Sequence, residues 1–207
     1  MEIKALKYGE SSLPESMIFI NGDKEKRRQI VFKVYVIRQN EKLVLVDAGC
    51  ETMPGFVMEN FIGTKNALKN IGIECSDVTD VIITHSHHDH IECVGYFKDA
   101  IIHIQKDEYE NGKKYLLENT RVNTFKEETL VCDGIKIIKI GGHSKGSSVV
   151  EVNCNGDTYI IASDECYSRD NLTEKIPTGC SVCPEKSKLF VEKYSDKKYK
   201  VLLAHDS

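Results

Sequence analysis

No stretch of this 207-residue chain approaches the roughly 18 consecutive apolar residues that a membrane-spanning helix needs. No membrane passage by a helix is therefore expected. The opening residues, Met1-Glu2-Ile3-Lys4-Ala5-Leu6-Lys7-Tyr8, lack the apolar core of a secretory leader, so a cytoplasmic location is the expectation. Positive charge is not in excess. The 28 Lys and Arg stand against 32 Asp and Glu for a net charge of −4, which argues against a general nucleic-acid or anionic-membrane surface. The one lysine-rich stretch, Lys193, Lys197, Lys198 and Lys200, reads as a solvated helix end. No linker, repeat or low-complexity segment divides the sequence. Its length is long for one ordinary domain and short for two, and its 41% hydrophobic content suits a globular core. Oligomeric state leaves no mark in the sequence.

Cysteine is not scarce. There are eight, and without a secretion signal reduced thiols are expected. Most of them alternate with apolar residues and read as small packed hydrophobes. Cys180-Ser181-Val182-Cys183 is a single CxxC with no second pair, a weak zinc signal that leaves packing, redox and metal roles open.

Strand patterns dominate both halves. Residues 3–8, 17–20, 29–38 and 42–46 read as strands, with turns at Asn21-Gly22-Asp23 and Gln39-Asn40-Glu41. Val57, Phe61, Thr64, Leu68 and Ile71 step by 4, 3, 4 and 3, one face of a helix that Gly72 would stop. Further strands are expected at 80–84, 100–104 and 201–204. A helix over 107–119 is broken near Asn111-Gly112. Two hairpins are expected, 129–132 with 135–140 around Asp133-Gly134, and 148–153 with 158–162. Pro184 opens the last helix, with Leu189, Phe190, Lys193 and Tyr194 at helical spacing. His103, within an apolar strand and outside every motif, reads as a structural or surface histidine.

The chemistry concentrates in Ile82-Ile83-Thr84-His85-Ser86-His87-His88-Asp89-His90. The chain has seven histidines, and four fall in the six residues 85–90. Imidazole and carboxylate are the donors that borderline divalent metals prefer. Packing gives no reason to gather several imidazoles at a strand end, where each needs hydrogen-bond partners.

His85-Ser86-His87-His88-Asp89-His90 reads His-x-His-x-Asp-His. This resembles the signature of the metallo-β-lactamase superfamily of metallohydrolases, and the family's later landmarks extend the resemblance across nearly the whole chain: His143 in Gly141-Gly142-His143-Ser144, Asp164 after Tyr159-Ile160-Ile161-Ala162-Ser163, and His205 after Val201-Leu202-Leu203-Ala204. It implies a single-domain α/β fold over residues 1–207, a four-layer αββα sandwich. It also implies two divalent metal ions, zinc by default with iron, manganese or cobalt as alternatives. One ion would be held by His85, His87 and His143, the other by Asp89, His90 and His205, with Asp164 bridging. His88 occupies the motif's variable position and is not a ligand. Asp47, in Asp47-Ala48-Gly49 after a strand, resembles the family's early Asp-x-Gly element. It takes a supporting or loop-fixing role, with turn capping as the plainer reading.

Two ions sharing a hydroxide would hydrolyse an activated carbonyl, with Asp89 relaying a proton to the leaving group. Tyr167, three residues after Asp164, resembles the N-acyl-homoserine lactonase branch, where such a phenol helps to stabilise the tetrahedral intermediate; a packed ring is the alternative. Ile104-Gln105-Lys106-Asp107-Glu108-Tyr109 and His205-Asp206 look like the same branch. Ile91-Glu92, Ser144-Lys145 and Ala204 depart from the family's usual residues without removing a ligand. The expected substrate is a small-molecule lactone, ester or thioester. A hydroxyacylglutathione-type thioester hydrolase is the alternative, although no basic segment follows His205 here. A metal-binding or sensing protein without turnover is the alternative of another class.

Overall fold

Parallel strands need long crossovers between them, and this chain places its chemistry where those crossovers begin. The computed structural model describes residues 1–206; Ser207 lies outside the described residues. Two compact units are present, one of Met1–Ser11 with Phe32–Lys126, the other of Ser12–Val31 with Glu127 onward. Among the described residues no helix is long and apolar enough to cross a membrane, and none of the eight cysteines forms a disulfide.

A six-stranded sheet runs β1 (Glu2–Pro14), β2 (Arg27–Gln39), β3 (Lys42–Val46), β4 (Asp80–Ile83), β5 (Ile101–Gln105), β6 (Arg121–Phe125), in that spatial order. β2 and β3 pair antiparallel, whereas β3, β4, β5 and β6 pair in parallel. The central strands are continuous apolar runs because they are covered on both faces: Val44, Leu45, Val81, Ile82, Ile83, Ile102 and Ile104 are all fully buried. Their C-terminal ends lie side by side, the position where open parallel sheets bind ligands. Asp47 follows β3, the histidine motif follows β4 and runs into α3 (His88–Ile91), and α4 (Lys106–Gly112) follows β5.

The second unit carries a five-stranded sheet, in the spatial order β11 (Tyr199–Leu202), β10 (Asp157–Ile161), β9 (Ser148–Cys154), β8 (Ile135–Lys139), β7 (Glu128–Cys132). Both expected hairpins form, and the second turns through Asn155 and Gly156 at φ 53° and 84°. Two positive φ values in a two-residue loop suit the right-handed twist of the flanking strands. The helices α5 (Arg169–Thr173) and α6 (Pro184–Tyr194) bring Leu172, Phe190, Val191 and Tyr194 into a core with Val149, Ile160 and Val201. On α6 Phe190 and Tyr194 are buried as the spacing suggests, whereas Leu189 is exposed.

Three expectations fail for identifiable reasons. The helix expected from Val57 covers only Gly63–Lys69 (α2), and Val57 is 84% exposed. Gly63 has φ +73°, outside the right-handed helical region, so the chain enters α2 there and cannot carry helix across it. The strand expected at 17–20 is instead the single helical turn α1 (Glu15–Ile18), closed by Phe19 N to Glu15 O at 2.8 Å. Pro14 ends β1 just before it and has no N–H to continue a ladder. β6 and α5 were not expected at all; both are short and largely polar.

The far end of β4 is fixed by a buried polar network. Asp80 accepts hydrogen bonds from Lys42 Nζ (2.7 Å), Thr79 Oγ1 (2.7 Å) and His103 Nε2 (2.9 Å). The other ring nitrogen of His103 meets Asn123 Nδ2 at 3.1 Å. His103 is thus buried and structural, linking β4, β5 and β6. Burial alone would raise the Asp80 pKa, but the bonds from His103, Lys42 and Thr79 outweigh it and hold the pKa down to about 2. A carboxylate with a depressed folded pKa stabilises above its unfolded value near 4 and loses that contribution as pH falls through 2. Asp80→Asn is expected to cost about 2 kcal/mol in urea melts at pH 7. The gap to wild type should close between about pH 4 and pH 2; a gap independent of pH would contradict the assignment.

Candidate metal centre

In the first unit the donors cluster at the end of β4. His85 and His90 are buried and His87 is exposed. His85 Nε2 and His87 Nδ1 are 3.0 Å apart, and His90 Nε2 stands 3.4 Å from Asp89 Oδ2. The motif is held from several sides. Asp47, at φ +64°, accepts from Thr84 N and Thr84 Oγ1, both at 2.9 Å, and meets His90 Nδ1 at 2.8 Å. Glu108 Oε2 accepts from Ser86 N (2.9 Å) and Ser86 Oγ (2.6 Å). Tyr8 donates its hydroxyl proton to the Asp89 carbonyl at 2.9 Å. An L-residue in the left-handed region is uncommon, though Asp tolerates it best. Here it aims one carboxylate at both the β4 end and His90.

In the second unit Asp164 lies one residue after Ser163, which is at φ +48°. Its oxygens face two imidazoles: His205 Nε2 is 2.9 Å from Oδ1, and His143 Nε2 is 3.4 Å from Oδ2. Tyr167 donates its hydroxyl proton to Asp164 Oδ2 at 2.5 Å and stacks its ring on His205, centroids 5.0 Å apart. The opposite ring nitrogens meet backbone carbonyls. His143 Nδ1 is 2.5 Å from Cys180 O, and His205 Nδ1 is 3.0 Å from Val31 O. His143, Asp164, Tyr167 and His205 are all buried.

These contacts test whether divalent ions fit. A carbonyl oxygen only accepts, so Nδ1 of His143 and of His205 must carry the proton. In a neutral ring the lone pair then lies on Nε2, which faces a carboxylate oxygen. Two electron-rich atoms at 2.9 Å need a proton or a metal cation between them, and the neutral ring suits the metal. Asp47 fixes the same tautomer in His90. Ligand histidines are oriented in this way, with the second N–H given to a carboxylate or a backbone carbonyl. The donor set, imidazole nitrogen and carboxylate oxygen, suits zinc and its neighbours.

All seven expected ligands therefore stand in the two clusters, four in the first unit and three in the second. His88 is placed elsewhere: its Nε2 lies 2.9 Å from Thr52 O and its Nδ1 is 3.4 Å from the Tyr115 hydroxyl. Cys180 and Cys183 join no cluster of three metal-type donors among the described residues. Burial, with the Asp164 charge behind it, pushes the Cys180 thiol up to about 11, and it is the Cys180 carbonyl that meets His143. Sequence reasoning missed Glu165, Glu108 and Tyr8. Glu165 is buried and accepts from Gly142 N (3.1 Å), His143 N (3.2 Å) and Ser147 Oγ. Burial pushes its pKa up to about 7 against those bonds. A second acid directly after Asp164, at the end of an apolar strand, was the available signal.

The family model described as the metallo-beta-lactamase superfamily matches residues 33–176. The N-acyl homoserine lactonase AiiB of Agrobacterium fabrum is 23% identical over 180 residues, covering 69% of this chain and 65% of that protein. Its counterpart from Rhizobium rhizogenes is 21% identical with the same coverage. The chain thus spans just under two thirds of the length of these curated relatives. An N-acyl homoserine lactone hydrolase, solved with N-hexanoyl-L-homoserine bound at its catalytic metal centre, superposes with a TM-score of 0.84 at 19% identity, over 99% of this chain and 92% of that one. A quorum-quenching N-acyl homoserine lactone lactonase gives 0.84 at 22%, over 99% and 91%. The superpositions establish the expected mixed α/β fold with two sheets. With the family match across residues 33–176 and the motif His85–His90 inside it, the chain belongs to the metallo-β-lactamase superfamily.

Proposed function

We propose that this protein is a metal-dependent hydrolase that opens an activated carbonyl, with a lactone of the N-acyl-homoserine type as its leading substrate class. The observation that carries the reading is Asp164, whose two oxygens face two imidazoles already pinned at their other nitrogens. Two divalent ions, zinc first, would be held by His85, His87, His143 and Asp164 on one side and by Asp89, His90 and His205 on the other, with Asp164 also meeting His205. When bound, they would supply a water of lowered pKa and positive charge for the carbonyl oxygen. The lactonase names of the relatives support the substrate class. The reading treats residues 1–207 as one hydrolase domain acting on a small molecule. A cytoplasmic location belongs to it and is supported by eight cysteines outside disulfides.

The chain's own residues have distinct tasks. Asp47, Cys180 O and Val31 O fix imidazole tautomers. Asp89, its carbonyl held by Tyr8, carries a proton to the leaving alkoxide. Tyr167 offers its phenol proton to the substrate carbonyl oxygen as negative charge develops there. At rest that proton is given to Asp164, so the donor is already oriented.

The test is a panel of lactones, esters and thioesters assayed with metal-loaded protein. Lactone turnover is expected, and thioester turnover alone would move the substrate class. Stoichiometric metal with no turnover on any ester-like substrate would favour a binding module. Tyr167→Phe is expected to lower kcat by roughly 10²-fold while metal content holds. An unchanged kcat would retire the role of the phenol.

A further inference from the structure

Glu165 is not one of the seven expected ligands, yet its carboxylate holds the His143 turn. Its Oε1 accepts from the backbone N–H of both Gly142 and His143 and from the Ser147 hydroxyl. The carbonyl of Gly142 is gripped from the opposite side by Val182 N (2.9 Å), Cys183 N (3.0 Å) and Ser181 Oγ (2.8 Å). Ser181 Oγ in turn meets the buried Ser187 Oγ at 2.8 Å. Residues 181–183 directly follow Cys180, whose carbonyl meets His143 Nδ1. The carboxylate thus reaches the imidazole by two routes, one through the His143 backbone and one through the loop that aims the Cys180 carbonyl.

The space around it is built for this. A Cβ at Gly142 would lie 2.4 Å from Glu165 Oε2, 2.4 Å from Ser187 Oγ and 2.9 Å from Ser187 N. Only glycine lets the carboxylate approach the turn so closely. Within the cradle Oε2 has no hydrogen-bond partner, so the geometry places the whole accepting function on Oε1. A buried carboxylate with an unbonded oxygen is costly and needs a reason beyond packing.

We infer that Glu165 is the positioning residue for His143, setting the ring's orientation and thereby the affinity of one of the two metal ions. The inference rests on the two-ion reading above. It concerns one half of the centre only, because Glu165 makes no contact of this kind with His205 or with the 85–90 motif. A group that orients a ligand typically changes metal affinity by roughly 10- to 100-fold.

The experiment is a cobalt(II) titration of metal-free protein, read by visible absorption and competed with a chromogenic chelator. Wild type is expected to take up two ions. Glu165→Ala should weaken one of them by roughly 10- to 100-fold, with an altered visible band, and leave the other unchanged. Glu165→Gln keeps the Oε1 acceptor and should behave as wild type. Equal loss of both ions from a folded Glu165→Ala, no loss of either, or a Gln variant as weak as Ala would each overturn the inference. Should Glu165→Ala not fold, Ser147→Ala decides: it removes one of the three donors and should weaken the same ion by a smaller factor, and two unchanged sites would overturn the inference. Wild type that takes up no cobalt would overturn the metal centre itself and this inference with it, whereas two ions in wild type with unaltered variants would overturn only the role of Glu165.

Discussion

Asp164→Ala is expected to strip the protein of stoichiometric metal and to lower hydrolysis by roughly 10³-fold or more. The size follows from the position of the side chain. Asp164 supplies the only carboxylate that meets both His143 Nε2 and His205 Nε2 among the described residues. Without it two imidazoles, each with its Nδ1 turned to a backbone carbonyl, lose the anion between them. The water of lowered pKa that the ions would supply is lost with them. Asp164→Asn separates charge from shape: it keeps an oxygen and the side-chain volume but no negative charge. Metal analysis of the purified variants, paired with kcat on the best lactone, measures both effects. Loss of activity with full metal retention would contradict the bridging role.

The second large effect is expected from Asp47→Ala. Thr84 N, Thr84 Oγ1 and the His90 ring all meet this carboxylate. Removing it leaves a buried backbone donor unsatisfied, and a site at φ +64° that Ala tolerates less well than Asp or Asn. Together these are expected to cost about 3 kcal/mol in urea unfolding of the metal-free protein. The ion held by His90 should bind roughly 10- to 100-fold more weakly, because the tautomer is no longer set. Asp47→Asn tolerates the same backbone conformation and should recover part of the stability but little of the affinity. If Asp47→Ala bound both ions as wild type does, Asp47 would be no more than a turn cap.

Much of this was legible in the residues. The His85–His90 motif could be read because metal donors are rare in apolar strand ends, so each one stands out against its neighbours. His143, Asp164 and His205 could be read because they stand in the order of the family's later ligands, each after a glycine turn or an apolar run. The parallel strands were visible as Val- and Ile-rich segments bounded by turn residues. What stayed hidden is what depends on a partner distant in sequence. Gly63 reads as a mild helix defect, yet at φ +73° the chain turns there into a helix whose Lys65 N–H meets Glu51. His103 reads as either surface or core until Asp80 is brought to it. Glu165 and Glu108 look like solvated acids beside a motif, and only the fold shows that both are buried against backbone and hydroxyl donors. Tyr8 reads as one more strand residue, 81 positions away from the carbonyl it holds.

The most direct test of the account is anomalous diffraction from crystals of zinc-loaded protein, recorded on both sides of the metal's absorption edge. The account predicts two anomalous peaks, one among the ring nitrogens of His85, His87 and His143, the other beside Asp89, His90 and His205, with Asp164 touching both. A fully loaded crystal with no peak there, or with its metal held by other residues, would contradict it.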